Sequence, residues 1–332
     1  MILTVFSGPP IWRQIQKQNF TDWKKLAAFL ELQEIQQESI LKSSHFPLNL
    51  PLRLAQKISK GTLDDPLLRQ FLPTIDETKH LPNFVADPVG DNLSRRESKL
   101  LHKYEGRVLL VCTSACAMHC RYCFRQNFDY DTETKLFDKE ISIIEEDSSI
   151  HEVILSGGDP LSLGNDVLNT LLKRISAIPH ITRIRFHTRF PIGIPERIDA
   201  DFVEMLSSIP QQIWFVIHCN HASELDNEIL ARLKLLQKKG MLILNQAVLL
   251  KGVNDDAETL KVLCETLVNH GIIPYYLHQL DRVQGASHFE VQEEVGHQLI
   301  ADISKVLPGY AIPKYVREIS GSPNKTMLIP NC

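Results

Sequence analysis

No run of about 18 apolar residues occurs anywhere in this 332-residue chain, so no membrane-spanning helix is expected. The N-terminus, MILTVFSGPPIWRQIQKQ, lacks a basic stretch followed by a long apolar one, so no export signal is expected either. Neither sign of charge dominates: 36 Lys and Arg face 40 Asp and Glu, and a net charge of -4 gives no electrostatic footprint for nucleic acid. Low-complexity tracts are absent. Cysteine is scarce, seven in all, and Cys112, Cys219, Cys264 and Cys332 stand singly. An odd, scattered set excludes a disulfide framework and points to a reducing, cytoplasmic setting. After the one cysteine cluster no second C-x2-C or H-x3-H follows, which argues against a structural zinc site.

That cluster is the most informative feature present. Cys116, Cys120 and Cys123 stand as C-x3-C-x2-C in CAMHCRYCFR, three thiols in eight residues. Three closely spaced thiolates can hold three irons of a 4Fe-4S cluster, and a missing fourth ligand leaves one iron open to a reactant. A ferredoxin that only carries electrons would usually supply the fourth cysteine.

From about residue 107 the chain repeats a unit of β-branched apolar run, polar or Gly-containing turn and helical period. Six such runs begin at Arg107, Glu152, Arg183, Ile213, Leu242 and Ile273. Helices are clearest from Asn165 and Asp226, where Leu or Ile recurs every three to four residues. Apolar runs alternating with helices predict a parallel sheet. Six units at roughly 30-residue spacing fall short of the eight of a closed barrel, so the fold class is α/β, a partial (β/α)6 barrel with ligands at the strands' C-terminal ends. Residues 1–100 read as an N-terminal helical and irregular extension, 101–307 as the barrel and 308–332 as a short C-terminal segment.

The unusual residues fall where such a barrel would use them. The cysteines follow the first strand, Ser156-Gly157-Gly158-Asp159-Pro160 the second, His187-Thr188-Arg189 the third and His218-Asn220-His221 the fourth. Asn245 and Gln246 lie within the fifth, and Asp281 closes the sixth.

On the cysteine triplet the chain resembles the radical S-adenosylmethionine superfamily. That resemblance implies that the open iron takes the amino and carboxylate groups of S-adenosylmethionine. It also implies that Tyr122 lies near the adenine and that Ser156, Gly157, Gly158 and Asp159 contact the methionine moiety. The glycines would let backbone approach a ligand with no Cβ in the way. HKYEGRVLL, CRYCFR, SGGDPL, NQAVLLKGVND and GSPNKT, in that order over about residues 98–330, are similar to the lysine 2,3-aminomutase family.

The family resemblance implies pyridoxal phosphate on Lys325, with Tyr104 and Arg107 beside it and Arg107 suited to its phosphate. Lys103 stands where catabolic members carry arginine. Arg125 would pair with the lysine carboxylate, Asp281 and Glu318 with the ε-ammonium, and His218 and Gln246 would line the S-adenosylmethionine pocket. Glu318 departs from the family's Asp by one methylene. Asn220, His221 and Arg189 receive no role.

The implied reaction is cleavage of S-adenosylmethionine to a 5'-deoxyadenosyl radical, hydrogen removal from C3 of L-lysine and migration of the amino nitrogen from C2 to C3, yielding (R)-β-lysine. A one-electron donor such as flavodoxin or ferredoxin would be needed. The chain ends seven residues after Lys325 and its N-terminal extension is short. It therefore looks more like the bacterial enzyme that supplies β-lysine for elongation factor P and its ligase than like the catabolic enzymes. A catabolic or other amino acid 2,3-aminomutase, and a non-catalytic iron-sulfur scaffold, are the alternative readings.

Overall fold

Each of the six apolar runs forms a strand, and the six lie parallel and in sequence order in one sheet. In chain order the sheet contains β1 (Arg95–Glu97), β2 (Leu100–Tyr104), β3 (Arg107–Val111), β4 (Glu152–Ser156), β5 (Arg183–Thr188), β6 (Gln212–His218), β7 (Leu242–Val248), β8 (Ile273–His278), β9 (Lys314–Arg317) and β10 (Thr326–Met327). Strands β3 to β8 are the six predicted units, and each is followed by a helix, the longest being Ala257–Asn269. The order runs from β1 to β10 without pairing of these two edges, so the barrel is open. The computed structural model describes residues 8–131 and 136–329; the first seven residues and Cys332 lie outside the described residues.

Short strands lengthen the sheet beyond the six units at both edges. Antiparallel β1 and β2 precede β3, while β9 joins β8 in parallel and β10 turns back on β9. The sheet therefore begins at Arg95, inside the stretch read from the sequence as the N-terminal extension. These edge hairpins matter for the site, because each brings two residues at its base side by side. Tyr104 pairs with Arg107, and Arg317 with Thr326, so Glu318 and Lys325 face one another one step beyond.

Local chemistry explains the helix starts. Asp199, Asp226 and Asp256 each accept a hydrogen bond from a first-turn amide of the helix that follows. Strand β4 is buried along its whole length, as a strand covered on both faces must be. Phe186 of β5 and Phe215 of β6 stack at 4.8 Å across adjacent strands. The N-terminal extension contributes five short helices between Ile11 and Arg69, and Leu26, Leu30, Leu54 and Leu68 join the same apolar core as the barrel. Among the described residues no helix is long and apolar enough to cross a membrane.

Candidate active site

At the C-terminal ends of the parallel strands lies a cavity of about 600 Å³. All of the residues assigned to the site in the sequence line it, from Tyr104 and Arg107 at one sheet edge to Glu318 and Lys325 at the other.

The cysteine loop leaves β3 and is held from below by the N-terminal extension. Gln16 and Asn49 side-chain amides donate to the Cys116 carbonyl, and Asn19 donates to that of Ala117 at 2.8 Å. The His119 amide donates to Asn49 O and its Nδ1 to Pro47 O, while the Arg121 amide donates to Gln70 O at 2.9 Å. Arg121 itself is 1% exposed and grips Glu77, with Nε 2.8 Å from one carboxylate oxygen. Cys116, Cys120 and Cys123 line the cavity, whereas Cys112, although also spaced by three, is buried and bonds weakly to Leu110 O.

Three thiols therefore remain for a cluster. Burial, with the neighbouring thiols, holds Cys116 well above the ordinary thiol value and pushes Cys123 up to about 11. Iron supplies the positive charge that would bring such thiols into the thiolate form. Three thiols lining one cavity fit the corners of an iron-sulfur cluster with one iron left open.

The glycines after β4 line the cavity and also have a close neighbour within the protein. A Cβ on Gly158 would meet Ala115 O at 2.5 Å and Ser114 O at 2.6 Å, and one on Gly157, whose φ is +120°, would meet Thr113 O at 2.6 Å. What approaches closely is the backbone of the cysteine loop, packed against Gly157 and Gly158 as they face the cavity. Asp159 also behaves differently from a ligand contact. Its carboxylate accepts from Thr188 Oγ1 at 2.8 Å and from the amides of Leu161, Arg189 and Phe190. Burial still pushes it up to about 6. Asp159 thus ties the β4 loop to the end of β5. Tyr122 lies above, its hydroxyl 2.8 Å from His218 Nε2, and Gln246 sits nearby on the cavity wall.

Around Lys325 the charges interlock. Its Nζ lies 2.5 Å from Glu318 Oε2, and Tyr104 donates to Glu318 Oε1 at 2.5 Å. Against the pull of burial, Lys325 and Tyr104 hold the Glu318 carboxyl below its usual value. Arg107 stacks over the Tyr104 ring at 4.6 Å and has no ion-pair partner among the described residues. A second cavity of about 550 Å³ adjoins, lined by Lys103, Arg107, Ser320, Ser322 and Asn324, a donor set suited to a phosphate. Lysine, basic phosphate donors and a bordering Tyr276 ring together fit pyridoxal phosphate. Asp281 is pushed up to about 7 by burial, with Lys325 opposing and Glu318 reinforcing.

Several residues of the site carry no sequence signal. Asp91, 2% exposed, holds Arg125 Nε at 2.7 Å and Lys103 Nζ at 2.8 Å. Burial favours its protonation, yet the two cations outweigh it and keep it below the ordinary carboxyl range. Arg125 NH1 donates in addition to Ser156 Oγ at 3.1 Å, so the guanidinium is fixed on two sides. Asp91 belongs to an irregular Pro- and Gly-containing stretch with no periodicity. Arg189, Glu224, Gln70 and Asn220, drawn from three separate segments, form a buried polar cluster against Tyr122. Arg189 and Asn220 stand out in the sequence at the ends of their strands, whereas Gln70 and Glu224 do not.

Comparison with known proteins gives the family. A family model described as a 4Fe-4S single cluster domain matches residues 104–189. The L-lysine 2,3-aminomutase of Haemophilus influenzae is 40% identical over 320 residues, 95% of this chain and 95% of that protein. The Escherichia coli protein of the same name is 42% identical over 85% of this chain and 83% of its own length, and that of Clostridium subterminale 30% identical over 96% and 78%. Among solved structures, the crystal structure of Streptococcus suis SuiB bound to S-adenosylmethionine aligns with 65% of this chain and 51% of that chain, at TM-score 0.49 and 16% identity. Identity of this extent, running nearly end to end through the cysteine loop, the barrel and the lysine hairpin, has one reading: the chain belongs to the L-lysine 2,3-aminomutase family.

Proposed function

We propose that this chain isomerises L-lysine to (R)-β-lysine by moving the amino group from C2 to C3. The observation that carries the reading is one cavity lined at once by three thiols, by Lys325, by the fixed Arg125 guanidinium and by the carboxyls of Asp281 and Glu318. When bound, the cluster would supply the electron that cleaves S-adenosylmethionine to a radical, and pyridoxal phosphate the carbonyl that holds the migrating nitrogen.

Cys116, Cys120 and Cys123 would hold the cluster and leave it open to S-adenosylmethionine, for which Ser156, Gly157, Gly158, Tyr122, His218 and Gln246 line the cavity. Asp159 keeps the β4 and β5 loops in register beneath it. Lys325 would take the pyridoxal phosphate, with Arg107 suited to its phosphate, Lys103 adding charge nearby and Tyr104 alongside. Arg125, its Nε and NH1 already engaged by Asp91 and Ser156, presents its remaining N–H groups to the substrate carboxylate. Asp281 and Glu318 take the ε-ammonium, a cation that relieves the repulsion between them. Clamping both ends of lysine would hold its C3 in one place within the cavity, and orientation of this kind contributes most to such a reaction. In this reading segment 1–100 supports the cysteine loop, 101–307 builds the cavity and 308–332 carries the cofactor lysine.

The electron comes from a flavodoxin or ferredoxin, and the β-lysine goes, through a ligase, to a lysine of elongation factor P. Both assignments rest on the resemblance of the motifs. The test is an anaerobic assay of cluster-reconstituted protein with L-lysine, S-adenosylmethionine and dithionite, reading β-lysine by chromatography. Product dependent on Lys325 supports the aminomutase; S-adenosylmethionine cleavage without β-lysine overturns the substrate. Transfer of the product to elongation factor P by the ligase, read by mass, tests its destination.

A further inference from the structure

We infer that Arg189 tunes the iron-sulfur cluster, raising its reduction potential through a hydrogen bond to the Cys120 thiolate. The inference rests on the reading of Cys116, Cys120 and Cys123 as cluster ligands. Arg189 follows directly on β5, its amide held by Asp159 Oδ2 at 2.8 Å. Its guanidinium is 7% exposed and lies 5.0 Å over the Phe71 ring. NH2 donates to Gln70 Oε1 and to Glu224 Oε2, both at 2.7 Å. NH1 donates to the Tyr122 hydroxyl and reaches Cys120 Sγ at 2.8 Å.

The anchor is itself immobile. Glu224 is fully buried, and its other oxygen accepts from the Asn220 amide at 2.9 Å, the His221 amide at 3.1 Å and Gln70 Nε2 at 3.2 Å. Among the described residues Arg189 Nε has no partner, so the contacts at NH1 and NH2, with the Phe71 ring beneath, set the orientation, and one of those contacts aims the charge at sulfur. A guanidinium so fixed stabilises the reduced, more negative cluster over the oxidised one, because hydrogen bonds and nearby charge at the sulfurs set the potential. Glu224, as the counter-charge, moderates the effect.

The test is an anaerobic redox titration of the reconstituted protein, without S-adenosylmethionine or lysine, read by the paramagnetic signal of the reduced cluster. Arg189→Met is expected to shift the midpoint to more negative potential, Arg189→Lys by less, and Glu224→Gln in the opposite direction. A site that is merely loosened and wetter would move Arg189→Met and Glu224→Gln the same way, and that result overturns the inference. So does an Arg189→Met protein with wild-type iron and sulfide and an unmoved potential. Should Arg189→Met fail to keep its cluster, Arg189→Lys decides, an unchanged midpoint again being fatal. A wild-type chain that takes up no cluster overturns the cysteine reading itself, a failure distinct from an intact cluster whose potential ignores Arg189.

Discussion

Lys325 has the Glu318 carboxylate 2.5 Å from its amine, so the side chain is held in place at the cavity wall. Replacing it should separate two functions that share the cavity. Lys325→Ala is expected to lose the visible absorbance of bound pyridoxal phosphate and all β-lysine formation while keeping iron and sulfide at wild-type content. Asp91 acts one step back, through Arg125. Asp91→Asn keeps a neutral acceptor but removes the charge that fixes both Arg125 and Lys103, so KM for lysine should rise about tenfold, equivalent to ~1.4 kcal/mol, with a smaller change in kcat. Asp281 makes binding depend on pH. Its folded value of about 7 exceeds the ordinary carboxyl value of about 4, so its share of the stability of the empty protein is present below about pH 4 and is lost as pH rises through 7. Lysine binding runs the other way, since only the ionised carboxylate attracts an ammonium. The rise in Tm caused by lysine should therefore be larger at pH 8 than at pH 6, and Asp281→Asn should flatten that difference.

At the scale of elements, the cysteine loop is shaped by what lies on either side of it. Above, the β4 glycines leave no room for a side chain: Gly158→Ala would drive a methyl into Ala115 O and Ser114 O, 2.5 and 2.6 Å away. Backbone cannot yield cheaply, so this variant should fold with slower cluster uptake and faster iron loss to a chelator. Below, Glu77 and Arg121 link the extension to the loop, with side-chain exposures of 8% and 1%. Glu77→Ala leaves a buried guanidinium unpaired, for which a loss of about 3–5 kcal/mol is expected, read as a lower midpoint in denaturant with an unchanged slope. The sequence reading treats the extension simply as packed on the barrel. Its contact with Cys116, Ala117, His119 and Arg121 links residues tens of positions apart along the chain, through backbone groups that carry no identity, and such pairings leave no motif.

For the molecule as a whole, the open sheet lets its two edges supply the two sides of the cofactor region, Tyr104 and Arg107 from one, Glu318 and Lys325 from the other. The edges meet across the cavity through side chains instead of strand pairing, so pyridoxal phosphate should brace them and raise Tm in the wild type, with no such rise in Lys325→Ala. The βα periodicity was readable along the chain because apolar runs and helical stripes are local, and the positions at strand ends followed from the handedness and polarity of the parallel sheet. The cysteine spacing, the glycine turn and the terminal GSPNKT loop were equally local. Sequence alone thus determined the class of fold and singled out Cys116, Cys120, Cys123 and Lys325. Tertiary structure decided that β1, β2 and β10 complete the sheet, that the glycines make room for protein backbone, and that Asp91, Glu224 and Gln70 support the site. These pairings depend on burial and charge brought together from distant segments, and a side chain's partner across space is not written in its neighbours along the chain.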